Sequence, residues 1–500
     1  MTDLLTKTEY LNIIDNVRLP KMAWIDGKFV SAKSKKTYDS ICPETEKVIA
    51  KIASCGKDDV DLAVKRARRT FKSGAWSKMC LDERKEILIR WAKLIKKHIH
   101  EIAAIEAYES GKPINDCVNV DLPETIHTLI WYAETVDKVF DKVAPTGDTA
   151  VSMIVKEPAG VVGAVLPWNF PLLMFAWKVG PALATGNSII VKPSENTAMS
   201  TLRVAELAQE AGMPDGVLQI LPGAGADVGK AMGMHMDIDM ISFTGSTAVG
   251  KHFLKYSADS NLKEVVLELG GKSPFVVLAD AKNLDDIAEH AIAAGFWNMG
   301  QNCSAGSRVI IHKKLKAELT KRIVQKVKKL SVGSHMDPKS NHGPLVSKVH
   351  YKRIMDYIAS GKKQGAKLLC GGEKVGKTGY FVSPVVFDNV KPNMKVYKEE
   401  IFGPVLSIIT ADSDEHAVEL ANDTEYGLAG SVFTNDLRKA HKVAGQIKAG
   451  TVTVNCFGEG SVVTPFGGYK MSGFGGRDKG LEALEGYTNT KTIWLDMSDD

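Results

Sequence analysis

Apolar positions change their period part-way along this chain. Before about residue 160 the spacing is helical: Ile87, Leu88, Trp91, Leu94 and Ile95 recur three and four apart, which puts them on one face of a helix. The same period predicts helices over 58–72, 81–109 and 123–139. A short hairpin over 24–30, turning at Asp26-Gly27, precedes them. From Val161 onward, short wholly apolar runs alternate with helical stretches. The runs 161–166, 188–191, 217–221 and 240–243 read as buried strands, with helices over 200–211 and 227–232 between them. A second series follows, with a strand at 273–278, a helix at 286–297, a strand at 307–312 and a helix at 314–330. Further strands fall at 405–410 and 451–455. Continuous apolar strands separated by helices belong to parallel sheets covered on both faces. The expected class is therefore α/β, with two doubly wound domains of a kind that holds dinucleotides at strand ends. The glycine-rich run 466–476 reads as a loop, and 148–156 and 487–494 are β-prone pieces outside both series.

Five hundred residues allow two or three domains, and 44% hydrophobic with 25% charged residues is an ordinary globular composition. The net charge of +5 is spread thinly, and its densest basic clusters, 65–69 and 326–329, fall in amphipathic helices. That argues against nucleic acid as a partner. Seven cysteines, widely spaced and without a C-x-x-C pair, suit free thiols in a reducing compartment and give no metal-ligand pattern. The first residues lack the regions of a signal peptide. Residues 159–177 are almost wholly apolar and long enough to suggest a membrane span, but Pro167, Asn169 and Pro171 interrupt them. A strand, loop and helix in a buried core fit that segment better, so a cytoplasmic protein without a membrane partner is expected.

Several segments carry candidate chemistry. Cys303, in Gly300-Gln301-Asn302-Cys303, sits among small and amide-bearing neighbours, and Glu268 sits in the apolar run Leu267-Glu268-Leu269-Gly270-Gly271-Lys272. A thiol nucleophile and a carboxylate base suffice for covalent chemistry on a carbonyl; a structural thiol and a strand-end glutamate are the plainer alternative. Phe243-Thr244-Gly245-Ser246-Thr247 follows a strand and opens a helix, so its N–H groups would face an anion or simply begin a capped helix. Lys192 and Glu195 lie at a strand end, where they could hold ribose hydroxyls or form a surface pair. Asn169, framed by Pro167 and Pro171, could donate to an oxyanion or cap the following helix. Glu399 and Glu400 stand beside the turn Phe402-Gly403-Pro404 and could hold a sugar hydroxyl or be solvated.

Taken in order and spacing, these segments resemble the aldehyde dehydrogenase superfamily over essentially the full length. Pro465-Phe466-Gly467-Gly468 completes the set. The resemblance implies a cofactor-binding domain over 1–137 and 159–269, a catalytic domain over 270–482, and an oligomerisation β-flap from 138–158 and 483–500. It implies oxidation of an aldehyde to a carboxylate with NAD, with Cys303 as nucleophile, Asn169 as oxyanion donor and Glu268 as base for hydrolysis of the thioester. Glu268 favours hydrolysis over transfer to coenzyme A, and Glu195 favours NAD over NADP. Gly245 and Ser246 would meet the pyrophosphate, Lys192 and Glu195 the adenosine ribose, and Glu400 and Phe402 the nicotinamide side. Leu166, Trp168, Gly225 and Leu269 would complete the cofactor site. Phe170, Trp177 and Trp297, with Glu459 and Phe466, would line the substrate tunnel.

Within the family, 121–125, 131–134 and 490–494 look most like the γ-glutamyl-γ-aminobutyraldehyde dehydrogenases of putrescine breakdown. The loop Cys456-Phe457-Gly458-Glu459-Gly460-Ser461 departs from that group. An ω-amino- or γ-glutamylamino-aldehyde is the expected substrate, against a broad aliphatic or betaine aldehyde enzyme and, in another class, a silent structural protein on this fold. A homodimer or homotetramer is expected, with 487–494 adding to a neighbour's sheet.

Overall fold

The change of period falls where the chain enters its first large sheet. The computed structural model describes residues 2–498. Val161–Val165 pairs in parallel with Ser188–Lys192 on one side and Met240–Thr244 on the other. The chain runs outward through Leu218–Ile220, then crosses back to Met240–Thr244 and Glu264–Glu268. Strand order therefore reverses between the ends of Val161–Val165 and Met240–Thr244, where a crevice opens at the carboxyl edge of such a sheet. The hairpin Ala23–Ile25 and Lys28–Val30 closes one side.

The other side is closed by Gly473–Phe474, antiparallel to Glu264–Glu268. Part of the glycine-rich run expected to be loop is thus an edge strand, preceded by a short 3-10 turn at Lys470–Ser472. Nothing local predicts it, because the strand exists only through its partner.

The second sheet has six parallel strands and an antiparallel edge at Lys367–Cys370. It includes three strands not anticipated, Lys367–Cys370, Val385–Asp388 and Ala429–Phe433, and is covered by helices such as Leu284–Phe296 and Lys348–Lys363. The expected helix over 81–109 is two helices, Leu81–Lys97 and Ile99–Ser110, broken at His98, whose ψ of 23° leaves the helical range. A wider turn at Cys117–Asp121 leads into Leu122–Thr135, and a similar one at Gly225–Gly229 precedes Lys230–Met234.

The two orphan β-prone pieces do form strands, but with each other. Thr488–Asp496 runs antiparallel to Ala150–Pro158 over its whole length, and Lys142–Ala144 flanks the other side. The tail's hydrogen bonds to Ala150–Pro158 are made within its own chain, and the tail forms one edge of this three-stranded sheet. Segment 159–177 resolves into a strand, a turn and the helix Pro171–Ala184. Among the described residues no helix is long and apolar enough to cross a membrane.

Between the sheets lies a small apolar cluster of Phe170, Leu173, Met174, Trp177, Leu428 and Phe466, with Trp297 and Cys303 packed against it. It joins a helix of the first sheet to loops of the second.

Candidate active site

Three loops meet at the crevice. The first leaves Val161–Val165: the Leu166 N–H donates to the Lys192 carbonyl at 2.9 Å, so the two strand ends stay in register. Asn169 is buried, and its Nδ2 donates to the Gln301 carbonyl at 3.0 Å. The helix Pro171–Ala184 starts after Phe170 with no side-chain cap, so the alternative of Asn169 as a capping residue fails. An amide nitrogen carries two protons; the Gln301 bond fixes the group and leaves the second proton to donate. Asn298 ties the frame from the other side, donating to the Asn169 carbonyl at 2.8 Å.

The second loop carries Cys303. The helix expected to run through Trp297 ends at Phe296. Asn298, Met299 and Gly300 then all take positive φ, at 51°, 56° and 67°. Left-handed backbone costs a non-glycine residue on the order of 1–3 kcal/mol and persists only where the surroundings enforce it. Here it folds the chain back so that Cys303, partly buried, faces the crevice. Burial pushes its thiol well above the usual range, and the carboxylates of Glu459, Glu400 and Glu268 push the same way. The resting group is a thiol.

The third loop follows Glu264–Glu268. Glu268 is buried, and neither carboxylate oxygen has a hydrogen-bond partner among the described residues. Burial raises its pKa well above the ordinary carboxylate value; Asp478 adds to this, while Lys178 and Arg477 oppose it. Next to it, a Cβ at Gly271 would run into the Cys303 carbonyl, and one at Gly270 into the Glu400 carboxylate. Two glycines thus let the loop after Glu268, the thiol loop and Glu400 close on one another. The Gly271 N–H donates to Glu400 Oε1 at 2.9 Å. Burial nevertheless lifts Glu400 to about 7.

A cavity of about 160 Å³ runs between these loops, with Asn169, Thr244, Gly245, Leu269, Cys303 and Glu400 among its walls. Its outer part has the features a dinucleotide requires. Thr244 Oγ1 is buried without a partner among the described residues. Ser246 caps the helix Thr247–Ala258, accepting from the Val249 N–H at 3.4 Å, and a helix start favours anions. Lys192 is buried and donates to Glu195 at 3.0 Å, and Glu195 accepts the Gly225 N–H at 2.8 Å. The expected trio thus converges, with Lys192 buried rather than on the surface. Although burial alone would raise Glu195, Lys192 and the backbone N–H groups hold it below the usual range. An added Cβ at Gly225 would meet nothing within 4 Å, so the backbone there is open to a ligand. Trp168 and Phe402 pack edge-on at 5.3 Å between ring centroids. These residues fit the adenosine, phosphate and nicotinamide ends of NAD.

On the far side of Cys303 lie the expected tunnel aromatics. Phe170 meets Trp297 at 5.0 Å and Trp177 meets Phe466 at 5.2 Å between centroids. Glu459 accepts from the Ser304 hydroxyl beside the thiol.

Four residues near the site escaped the sequence reading. His350 donates to the Phe402 carbonyl at 2.7 Å, and burial lowers its pKa to about 4, so the ring is neutral. Arg353 donates to the Glu400 carbonyl at 2.9 Å. Lys178 and Asp478 form a fully buried ion pair at 3.1 Å, and Lys178 also donates to Ser242 at 3.0 Å. The helical period of 348–363 was the one available signal for the first two; the ion pair joins residues far apart in sequence and had none.

The sequence profile of the aldehyde dehydrogenase family matches residues 29–493. An aminoacetaldehyde dehydrogenase of Pseudomonas aeruginosa is 49% identical over 498 residues, covering 100% of both chains. The solved γ-glutamyl-γ-aminobutyraldehyde dehydrogenase of Burkholderia cenocepacia J2315 superposes with a TM-score of 0.97 at 45% identity, covering 99% of this chain and 100% of that one. A mutant of the P. syringae indole-3-acetaldehyde dehydrogenase AldA, in complex with NAD+ and IAA, gives a TM-score of 0.97 at 43% identity, covering 99% and 100%. A thiol, a buried carboxylate and a dinucleotide crevice at one strand-order reversal agree with those likenesses, and the chain belongs to the aldehyde dehydrogenase family.

Proposed function

We propose that the chain uses NAD to oxidise an aminoaldehyde or an N-acylated aminoaldehyde to its carboxylate, hydrolysing rather than transferring the acyl group. The observation that carries this reading is the convergence of Cys303 and Asn169 on the wall of one cavity beside the nucleotide crevice, with Glu268 buried immediately before the wall residues Leu269 and Gly270. The substrate class is supported by the aminoaldehyde enzymes among the relatives.

In this reading the Cys303 thiol gives its proton to solvent and Sγ bonds to the aldehyde carbon, whose C–O π bond breaks. The oxygen becomes an oxyanion that accepts from the free N–H of Asn169 and from the Cys303 backbone N–H. NAD, when bound, supplies the hydride acceptor. Lys192 and Glu195 hold the ribose hydroxyls, with the anionic Glu195 repelling a 2′-phosphate. Glu400 and Phe402 orient the nicotinamide side. Glu268 takes a proton from water, which attacks the thioester carbon; the carbon–sulfur bond breaks and the carboxylate leaves.

We also propose the division into a cofactor domain (1–137 and 159–269), a catalytic domain (270–482) and a flap (138–158 and 483–500). Residue 1 and residues 499–500 lie outside the described residues. The Gly473–Phe474 strand crosses that division by pairing with the first sheet. The cytoplasm remains the proposed location.

The test is Cys303→Ala, assayed with NAD+ and a panel of aldehydes. NADH formation should fall to background while NAD+ affinity stays near the unaltered value. Near-normal turnover in the variant would remove Cys303 from the reaction. The unaltered enzyme should favour amino- or acylamino-aldehydes over simple aliphatic ones in kcat/KM; the reverse order would leave the dehydrogenase and overturn its substrate class.

A further inference from the structure

Lys479 lies outside every motif that pointed to the chemistry. Its backbone is left-handed, with φ at 60°, a conformation uncommon for a long side chain. The residue is only 4% exposed, and its ammonium lies 4.7 Å from the Trp177 ring centroid and 5.3 Å from that of Phe466. Both distances fall within cation–π range. Nζ donates to the Glu459 carbonyl at 2.7 Å. An ammonium has three N–H bonds, so two remain without an acceptor among the described residues.

The charges facing it are accounted for. Burial lowers its pKa, while Glu459, Glu124 and Asp478 act to raise it. Asp478 is engaged by Lys178, the Glu459 carboxylate by Ser304, and Glu124 is exposed. The aromatic faces that could receive a substrate's cation already hold one, and that cation has donors to spare.

We infer that Lys479 is a specificity-determining residue: it occupies the cation place on Trp177 and Phe466 and offers its free N–H bonds to an oxygen acceptor in the substrate's tail. Aldehydes with an amide carbonyl or a carboxylate are therefore preferred over those ending in a bare ammonium. This rests on the proposed function, which makes these aromatics the walls of the substrate tunnel. A second ammonium at that depth would meet a like charge in a poorly screened site. A ligand lacking an acceptor would leave buried donors dry, the arrangement by which sites discriminate most sharply.

The experiment compares kcat/KM for 3-aminopropanal, its N-acetyl derivative, propanal and 4-oxobutanoate in the unaltered enzyme, Lys479→Met and Lys479→Arg. The acetylated aldehyde should exceed the free amine by about tenfold or more in the unaltered enzyme. That ratio should collapse by about tenfold in the Met variant and survive in the Arg variant. The 4-oxobutanoate arm separates a carboxylate from an amide as the favoured acceptor. A preference for the free amine, a ratio unmoved by Lys479→Met, or a proportional fall for all four aldehydes overturns the inference while leaving the dehydrogenase intact. If the unaltered enzyme oxidises none of the four, the underlying reading fails instead. Should the Met variant not fold, Lys479→Gln is read by the same ratio, which should again lie below that of the unaltered enzyme.

Discussion

At the scale of single residues, the site is built from groups held away from their ordinary ionisation. The Cys303 thiol and the Glu268 carboxyl are both raised, chiefly by burial. In the proposed reaction each acts in its deprotonated form, and a raised pKa means that form becomes populated only as pH rises. The kcat/KM for aldehyde oxidation should therefore climb between about pH 6 and pH 9. A flat or falling profile over that range would show that neither deprotonation limits the reaction. Glu195 runs the other way. Its carboxylate is anionic throughout that range, so its bias against a 2′-phosphate should not change with pH.

At the scale of elements, the site depends on close approaches that glycine permits. Gly271 lies against the Cys303 carbonyl with no room for a Cβ. Gly271→Ala should displace the thiol loop and lower kcat by about 100-fold, since a shift of roughly 1 Å in a reacting group has that effect. Circular dichroism should show the secondary structure retained; full activity would mean the loops tolerate separation. The contiguous motifs around Asn169, Glu268, Cys303 and Glu400 were legible in the sequence because each is a local run ending a strand or a helix. Lys178 with Asp478, and Lys479 over Trp177, were not, because their partners are brought in by tertiary folding. The sharp turn at Asn298 and Met299 was equally hidden: nothing in their side chains demands positive φ, and the Asn169–Asn298–Gln301 bonding imposes it. The parallel strands read well because burial on both faces leaves them continuously apolar. Ala429–Phe433 was missed because Gly430 and Ser431 dilute that signal.

At the scale of the whole molecule, the small three-stranded sheet is the feature that a lone chain explains least. Trp494 is 62% exposed, Val143 73% and Phe140 80%, and both outer strands present unpaired edges. Such exposure is costly unless it is covered. The tail pairs with Ala150–Pro158 in its own chain and forms an outer edge of the sheet, so association would proceed by covering these faces and edges. Light scattering at micromolar concentration should report a dimer or tetramer, and Trp494→Glu combined with Val143→Glu should shift it toward smaller species. A monomeric unaltered protein would contradict the account of the flap.

The central claim is that the acyl group passes through Cys303 and is released by Glu268. Mass spectrometry of Glu268→Gln, mixed with NAD+ and aldehyde and quenched within one turnover, tests it directly. The account predicts a burst of NADH and a peptide carrying Cys303 heavier by the acyl group. A burst without that adduct, or with the adduct on another cysteine, would contradict it.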